Sequence, residues 1–224
     1  MTKSKLCVGE RISPNYTKKR TNTIQCIVVH HMAGVMSAET CCNIFMNPAR
    51  KASANYCIGK DGEIWCSVPE EGRAWTSGNA SIDHRSITIE VSNSSLGPNW
   101  LVSDKVYNSL VALCVDICQR YHITPVFTGK KESSTIQAHR WYQSTLCPGP
   151  YLYDKLGQLA LDIAKHLNMS QPTISAQQET KARIVRVACA NLNVRKGPGT
   201  NYPVATGVHQ GELYTIVEET ADGW

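Results

Sequence analysis

The chain has 224 residues and a formal net charge of +5, with 42% hydrophobic and 18% charged residues. This composition is typical of a globular protein and excludes a disordered chain. No apolar run reaches the ~20 residues that are needed to span a bilayer, so membrane insertion is not expected.

The first 20 residues hold six basic side chains and one acidic one, but they lack the apolar core of a secretory signal. We therefore expect synthesis in the cytoplasm without a signal peptide. The basic segment is either a surface that adsorbs to an anionic polymer or a solvated edge. No stripe of aromatic and basic residues indicates binding to nucleic acid.

Three elements are predicted near the N-terminus. The β-branched run IQCIVV predicts a buried strand that ends in two adjacent histidines, His30 and His31. A helix follows, with Ser37 as its predicted N-cap and Pro48 as its end. The segment ANYCIGKDGEIWCSV then predicts a hairpin around an Asp-Gly turn.

The segment SITIEVS alternates, which predicts a strand with Ile87, Ile89 and Val91 on one face and Thr88 and Glu90 on the other. Two longer helices are predicted in SDKVYNSLVALCVDICQRYH and YDKLGQLALDIAKHLN, because each has apolar residues at helical spacing. Strands and helices interleave up to about residue 168. This order predicts an α/β layer fold.

Ten cysteines occur in a chain without an export signal, mostly inside apolar segments. In a reducing compartment such residues behave as small buried hydrophobes, so we predict packing rather than disulfides. Cys114 and Cys118 lie four apart on a predicted helix and could share a metal. No nearby histidine or cysteine completes that site, which favours packing there as well.

A second segment with metal-binding residue types is QAHRWYQSTLCPGP, in which His139 and Cys147 are eight apart. To share one zinc ion, whose ligands lie at ~2.0–2.3 Å, this segment has to loop back. A rigid Pro-Gly-Pro exit suits such a turn. With a histidine from the first strand, the set offers three ligands, which is the number found in catalytic zinc sites that keep one position open.

Taken together, these motifs resemble the type-2 N-acetylmuramoyl-L-alanine amidases, a zinc family that includes peptidoglycan recognition proteins and phage endolysins. The matching segments, in family order, are IVVHHMAG, SANYCIGKDGEIW, RAWTSGN, HRSITIEVSN and QAHRWYQSTLCPG. The resemblance covers about residues 20–168. It implies a central mixed β-sheet flanked by helices.

The resemblance places one zinc ion on His30, His139 and Cys147. His31, the neighbour on the other face of the strand, is then expected to be a packed residue. Glu90 matches the glutamate that bacterial and phage members use to activate water. Without the resemblance, an exposed polar strand face would explain Glu90 equally well. Other members use a tyrosine in the hairpin for this purpose, where this chain has Ala54.

Further site residues follow from the same resemblance. Thr145 matches a position that is lysine or threonine in relatives, and its hydroxyl could donate to a developing oxyanion. Trp75 and Asn79 are expected to line the substrate groove. His84 and Arg85 either contact the stem peptide or form a salt link within their loop.

The composition changes after residue 168, which predicts three parts of the chain. These are a zinc amidase catalytic domain at 1–168, a Ser/Thr/Gln-rich linker at 169–182 and a small all-β domain at 183–224. The last part resembles bacterial SH3-type cell-wall-binding domains through LNVRKGPGTNYPV and the later Gly207, Gly211 and Gly223-Trp224. We expect it to be a truncated, partial barrel, since such domains usually continue beyond that tryptophan.

The function that the resemblance implies is zinc-dependent hydrolysis of the amide bond between the lactyl group of N-acetylmuramic acid and L-alanine of the peptidoglycan stem. We expect a monomeric endolysin or autolysin that reaches bacterial peptidoglycan after release by lysis or a holin-type exit. Two alternatives compete with this function. One is a non-catalytic peptidoglycan recognition protein, although such proteins typically lack a ligand such as the cysteine. The other is a cytoplasmic wall-recycling amidase, against which the SH3-like segment argues.

Overall fold

A computed structural model of the chain describes residues 1–168, 184–197 and 199–215. The chain divides into two compact units, Met1–Pro172 and Thr173–Trp224. Each unit is described by itself. The predicted linker at 169–182 lies outside the described residues, and the predicted domain boundaries stay a prediction.

Eight strands and four helices form the described part of the first unit. The strands are β1 (Gly9–Glu10), β2 (Tyr16–Thr17), β3 (Cys26–His31), β4 (Tyr56–Ile58), β5 (Ile64–Cys66), β6 (Arg73–Ala74), β7 (Ser86–Val91) and β8 (Ile136–Ala138). The helices are α1 (Ala38–Phe45), α2 (Ala80–Arg85), α3 (Asp104–Tyr121) and α4 (Pro150–His166). Short 3₁₀ turns occur at Pro48–Arg50 and His139–Trp141.

A mixed six-stranded sheet in the order β1-β5-β4-β7-β3-β8 forms the centre of this unit. Strand β3 pairs in parallel with β7 on one side and with β8 on the other, whereas β4 and β5 form the antiparallel hairpin that the sequence predicts. The predicted mixed sheet flanked by helices is therefore confirmed.

Helix ends and apolar stripes follow the sequence signals. The hydroxyl of Ser37 accepts from the Thr40 backbone N–H, and the hydroxyl of Ser103 accepts from that of Val106, as expected of N-caps. Helices α3 and α4 bury one stripe each in the main core. These stripes consist of Val106, Leu110, Leu113 and Ile117 in α3, and Leu152, Leu156, Leu159 and Ile163 in α4.

The two faces of the sheet have different chemistry. Ile27, Val29 and their partners Ile87 and Ile89 in β7 face the main core with α3 and α4. The residues between them face the other way, toward α1 and α2. His30 is on this second face, opposite Glu90 of β7.

All ten cysteines are free, and all but Cys189 are buried or partly buried, as predicted. Cys114 and Cys118 pack in the main core. Within the described residues, no helix combines the length and the apolarity that crossing a membrane requires.

The second unit contains two antiparallel ribbons in its described part. Strand β9 (Ile184–Arg186) pairs with β12 (Leu213–Thr215), and β10 (Asn191–Arg195) pairs with β11 (Val204–His209). Short antiparallel strands agree with the all-β composition of this segment. The SH3-type barrel stays a prediction, and Gly223-Trp224 lies outside the described residues.

The basic N-terminal segment is partly structural. Lys3 pairs with Glu10, and the Arg11 guanidinium lies 3.7 Å from Glu39. Arg20 donates to the backbone carbonyls of Glu70 and Asp83 and to the Asn55 side chain. Arg20 therefore ties the N-terminal segment to three separate parts of the unit.

A buried carboxylate anchors the far side of the same unit. Glu70 is fully buried, and its oxygens accept from both Nη atoms of Arg120, at 2.5 and 2.6 Å. The hydroxyls of Tyr56 and Tyr121 donate to the same carboxylate, at 2.5 and 2.7 Å. A buried carboxylate is stable only when its oxygens are paired, and these four hydrogen bonds pair both oxygens of Glu70. Because Tyr56 is in β4 and the other two partners are in α3, the network joins α3 to the hairpin.

We predict that Arg120→Met lowers the free energy of unfolding by about 3 kcal/mol, since it removes the only cation paired with Glu70 among the described residues. Urea unfolding followed by circular dichroism measures the change. Lys105→Met, on an exposed position of the same helix, is the control and should stay within about 0.5 kcal/mol. Equal stability of Arg120→Met and wild type would contradict the prediction.

Candidate metal centre

Three side chains from separate segments converge at the carboxyl end of β3. The ligand atoms of His30, His139 and Cys147 all lie within 4.8 Å of one another. Cys147 Sγ is 3.7 Å from His30 Nδ1, and the two imidazole centroids are 4.4 Å apart. Tetrahedral zinc with ligands at 2.0–2.3 Å separates them by about 3.5 Å, so this donor set fits a zinc ion.

The two histidines come from neighbouring parallel strands. His30 is on β3, and His139 directly follows β8, whose Ala138 pairs with Val29. Because the carboxyl ends of parallel strands meet at one edge of a sheet, both rings reach the same point. His30 is almost fully buried, with 1% of its surface exposed.

Backbone hydrogen bonds close the loop that carries Cys147. The Arg140 N–H donates to the Cys147 carbonyl at 3.0 Å, and the Cys147 N–H donates to Thr145 Oγ1 at 3.2 Å. The backbone N–H of His31 donates to Cys147 Sγ at 3.4 Å. A donor aimed at sulfur favours the thiolate, which is the form that binds metal.

His31 is not one of the three grouped ligands, and it lines the cavity beside them. Its ring contacts Trp100 edge-on, with centroids 5.3 Å apart. Gly149 closes against both residues, and a Cβ there would lie 3.1 Å from His31 Nδ1 and 3.2 Å from Trp100 Cβ. With a φ of +84°, this position requires glycine for its backbone as well as for space.

Glu90 lies in register with His30, so its side chain is on the same face as the three ligand atoms. Its Oε2 is buried and has no hydrogen-bond partner among the described residues. Burial raises the pKa of Glu90 to about 8, and the positive charge of Arg50 opposes part of that rise. Glu90 is therefore not the exposed polar residue that alternation alone would also allow.

Burial also sets the protonation of the ligand residues. Burial lowers the pKa of His30 well below its ordinary value. Burial also lowers the pKa of His139, and a hydrogen bond with the Ser77 backbone partly offsets that second shift. Both imidazoles are therefore neutral, as metal binding requires. Burial raises the pKa of Cys147, so a bound cation is needed to hold it as thiolate.

A cavity of about 280 Å³ opens onto these residues. Glu90, His139, Cys147 and Thr145 contribute polar atoms to its lining, together with Arg50. The rest of its lining consists of His31, Met32, Ala33, Met36, Cys41, Ile44 and Phe45. Ala54, expected from the sequence in place of a hairpin tyrosine, is buried against α1 and does not line the cavity.

Ser77 and Asp83, which the sequence analysis does not single out, support the ligand group on the side of His30 that faces away from Cys147. Ser77 Oγ lies 3.5 Å from His30 Nε2, which leaves Nδ1 facing Cys147. The carboxylate of Asp83 accepts from the backbone N–H groups of Thr76 and Ser77 and so fixes that segment. Only the position of Ser77, two residues after Trp75 in RAWTSGN, could have suggested this role.

The residues predicted to contact the substrate fall into two groups, one beside the Ser77 segment and one at the far end of α2. Trp75 Nε1 donates to Thr17 Oγ1, and Asn79 caps α2 by accepting from Ser81 and Ile82. Both flank the Ser77 segment. Helix α2 then runs away from the site, so His84 and Arg85 lie near the start of β3, where the Arg85 carbonyl accepts from Gln25.

The structure therefore does not bring His84 and Arg85 to the ligand group. His84 Nδ1 accepts from the backbone N–H of Thr21, and neither residue forms a salt bridge with a described residue. Their contact with a stem peptide stays a prediction, as do the roles of Trp75 and Asn79.

We predict that Asp83→Ala weakens zinc binding about 10- to 100-fold and lowers the free energy of unfolding by about 2 kcal/mol, because it frees the segment behind His30. Competition with a chromogenic chelator measures affinity, and urea unfolding measures stability. Asp154→Ala, at an exposed position of α4, is the control. Unchanged zinc affinity in Asp83→Ala would show that Asp83 does not position the ligand group.

Comparison with known proteins adds a family to this geometry. Residues 20–150, more than half of the chain, match the family described as N-acetylmuramoyl-L-alanine amidase. No match was found among curated proteins.

Solved structures of similar proteins share the fold at low sequence identity. PlyL matches with a TM-score of 0.54 and 20% identity over 70% of this chain and 96% of its own. LysCS, an endolysin N-acetylmuramoyl-L-alanine amidase from Clostridium intestinale, matches with a TM-score of 0.51 and 20% identity over 72% and 95%. The Staphylococcus aureus hydrolase AmiA, solved with its ligand, matches with a TM-score of 0.56 and 16% identity over 72% of this chain and 86% of its own. These structures share the fold, and the match over residues 20–150 shows that this chain belongs to the N-acetylmuramoyl-L-alanine amidase family.

Proposed function

We propose that the chain hydrolyses the amide bond between the lactyl group of N-acetylmuramic acid and L-alanine of the peptidoglycan stem, with a zinc ion held by His30, His139 and Cys147. Membership of the family establishes the enzyme class. The observation that carries the proposal is the Glu90 carboxylate, which lies in register with His30 on the face of the ligand group and in the same cavity as His139 and Cys147.

The donor set suits zinc and leaves room for chemistry. Two neutral imidazoles and one thiolate are borderline-soft ligands, and three protein ligands are typical of catalytic zinc. When bound there, zinc supplies Lewis acidity toward an amide carbonyl and lowers the pKa of water. Ser77 orients His30 from behind, and the His31 backbone N–H supports the thiolate of Cys147.

Glu90 is the proposed proton carrier. As carboxylate it accepts a proton from the attacking water, and as carboxylic acid it returns that proton to the departing amine of L-alanine. Burial raises its pKa to about 8, and a cation bound at the ligand group would lower it. A pKa near the working pH suits a residue that must act in both directions.

Thr145 is the proposed donor to the oxyanion of the tetrahedral intermediate. Its hydroxyl lines the same cavity and accepts from the Cys147 backbone N–H, which leaves its own proton for donation. A neutral hydroxyl stabilises an oxyanion less than an ammonium group does. We therefore expect Thr145 to assist the reaction without being essential.

Peptidoglycan is the proposed partner, and the chain acts on it as an endolysin or autolysin. The AmiA structure with its ligand and the endolysin relatives support this choice. A non-catalytic recognition protein is not favoured, because such a protein needs neither a complete ligand set nor a buried carboxylate beside it. Wall binding by residues 183–224, a monomeric state and action after release from the cytoplasm stay predictions.

We expect purified cell walls to release stem peptides with a new amino-terminal L-alanine when the protein is added, as identified by mass spectrometry. Prior dialysis against a chelator should abolish release, and added Zn²⁺ should restore it. Reducing sugar ends would instead indicate a glycosidase. Cleavage within the peptide would indicate an endopeptidase, and either result would contradict the proposed reaction.

Two substitutions separate proton transfer from metal binding. Glu90→Gln keeps the size of the side chain but cannot accept the proton, so we expect normal zinc content and turnover reduced about 10²- to 10⁴-fold. Cys147→Ser removes the thiolate, so zinc and activity should be lost together. Atomic absorption measures zinc, a soluble muramyl peptide measures turnover, and circular dichroism confirms folding.

Exposed residues of the same types provide the controls for this pair. Glu132→Gln and Cys189→Ser should change neither zinc content nor turnover. Full activity and normal zinc in Cys147→Ser would make the ligand assignment wrong. Wild-type turnover in Glu90→Gln would assign the base to another residue.

A further inference from the structure

One cation lines the cavity without a carboxylate partner. Arg50 is the last residue of the 3₁₀ turn Pro48–Arg50 that follows α1, and it borders the cavity together with Glu90 and Thr145. No carboxylate of the described residues lies within salt-bridge distance of it. Its guanidinium carbon lies 5.9 Å from the centre of the Phe45 ring, which is a cation–π contact.

The turn that carries Arg50 is fixed by buried polar residues. The Phe45 carbonyl accepts from Ser13 Oγ at 2.7 Å and from Asn15 Nδ2 at 2.9 Å. Asn15 Nδ2 also donates to the Asn47 carbonyl at 2.8 Å. Ser13 and Asn15 are 1% and 3% exposed, so the base of the turn cannot shift without breaking buried hydrogen bonds. Arg50 is thus presented from a rigid support.

The electrostatics of the cavity leave Arg50 free to bind an anion. Apart from the metal-binding residues, the ionisable side chains in its lining are His31, Cys41, Arg50 and Glu90. Burial lowers the pKa of His31, and the pKa of Cys41 is raised, so Arg50 is the one permanent cation in this lining. Arg50 is close enough to influence the ionisation of Glu90 but does not pair with it. A residue that served only Glu90 would be expected to contact it, whereas an exposed guanidinium can form a bidentate pair with an incoming carboxylate.

We propose that Arg50 binds a carboxylate of the stem peptide, namely the free α-carboxylate of the γ-linked glutamate that follows the first L-alanine. This inference rests on the proposed function. One extended residue spans about 3.5 Å, so that carboxylate lies within roughly 7 Å of the scissile amide. A compact cavity of about 280 Å³ is roughly 8 Å across, so both groups fit in it. Ile44 and Phe45 then provide apolar contacts for the alanine methyl group.

The consequence of this assignment is selectivity. An enzyme that pairs Arg50 with this carboxylate cleaves stems that keep it faster than stems in which it is a carboxamide. The pairing requires charge and two coplanar acceptor oxygens, and a carboxamide offers neither. Arg50 is therefore a specificity-determining residue, while Glu90 remains the proton carrier.

The test compares two soluble muramyl peptides that differ only in having the carboxylate or the carboxamide at this position. We expect wild type to show a higher kcat/KM for the carboxylate. Arg50→Gln should lower the ratio of the two kcat/KM values, carboxylate over carboxamide, about 10- to 100-fold, because any effect through Glu90 acts on both substrates alike and leaves this ratio unchanged. Lys51→Gln removes the neighbouring charge, which does not line the cavity, and should behave as wild type.

The outcomes separate this inference from the proposed function. Equal losses on both substrates in Arg50→Gln would overturn it, because that pattern indicates an effect through Glu90. If wild type cleaves neither substrate, the proposed function fails, and calorimetric binding of the free L-alanyl-γ-D-glutamyl peptide then decides the role of Arg50. Binding that weakens at least 10-fold in Arg50→Gln supports the pairing. Unchanged binding, or no binding to wild type, overturns it.

Discussion

The parallel register of β3 with β7 is the constraint on which the site depends. His30 pairs with Glu90, and side chains at paired positions share a face of the sheet. A slip of one residue would turn His30 into the apolar core and bring Val29 to the cavity. Such a slip is opposed on both sides of β3, because β7 and β8 each bury an apolar face with it. Packing of the hydrophobic core thus fixes the register that places His30 and Glu90 on the opposite face of the sheet.

Three buried carboxylates in this unit differ in their pairing. Glu70 is paired with Arg120 and two tyrosines, and Asp83 accepts from two backbone N–H groups. Glu90 Oε2, which belongs to the cavity, has no hydrogen-bond partner among the described residues. An unpaired buried carboxylate costs stability, and such a cost is typical of positions selected for chemistry rather than for folding. The paired network makes that cost tolerable.

Much of the architecture follows from local patterns in the sequence. Period-two alternation predicted β7 with the correct faces, and the Ser37 and Ser103 caps predicted where two helices begin. Pro48 ends α1 as predicted, but it also opens the 3₁₀ turn that carries Arg50, and α4 begins at Pro150, before its periodic stripe. Local patterns fix which elements form, and their ends depend on neighbouring loops.

The site itself was less accessible from the sequence. The ligand set came from a resemblance over five ordered motifs, because a lone His-x7-Cys pair carries little information. Ser77, Asp83 and Arg50 have no local signature, since their roles arise from contacts with distant segments. For His84 and Arg85 the sequence leaves two alternatives open, contact with the stem peptide or a salt link within their loop. Helix α2 places them near the start of β3, at the opposite end of the strands from the ligand group.

The hydrogen bonds from Ser13 and Asn15 to the Phe45 carbonyl have a consequence for the design of chimeric enzymes. The family match begins at residue 20, so a catalytic module excised at that boundary would lose these two residues. It would also lose β1, which extends the sheet beside β5. The wall of the cavity is therefore held in place by residues that precede the matched segment, and a catalytic module made from this protein needs them.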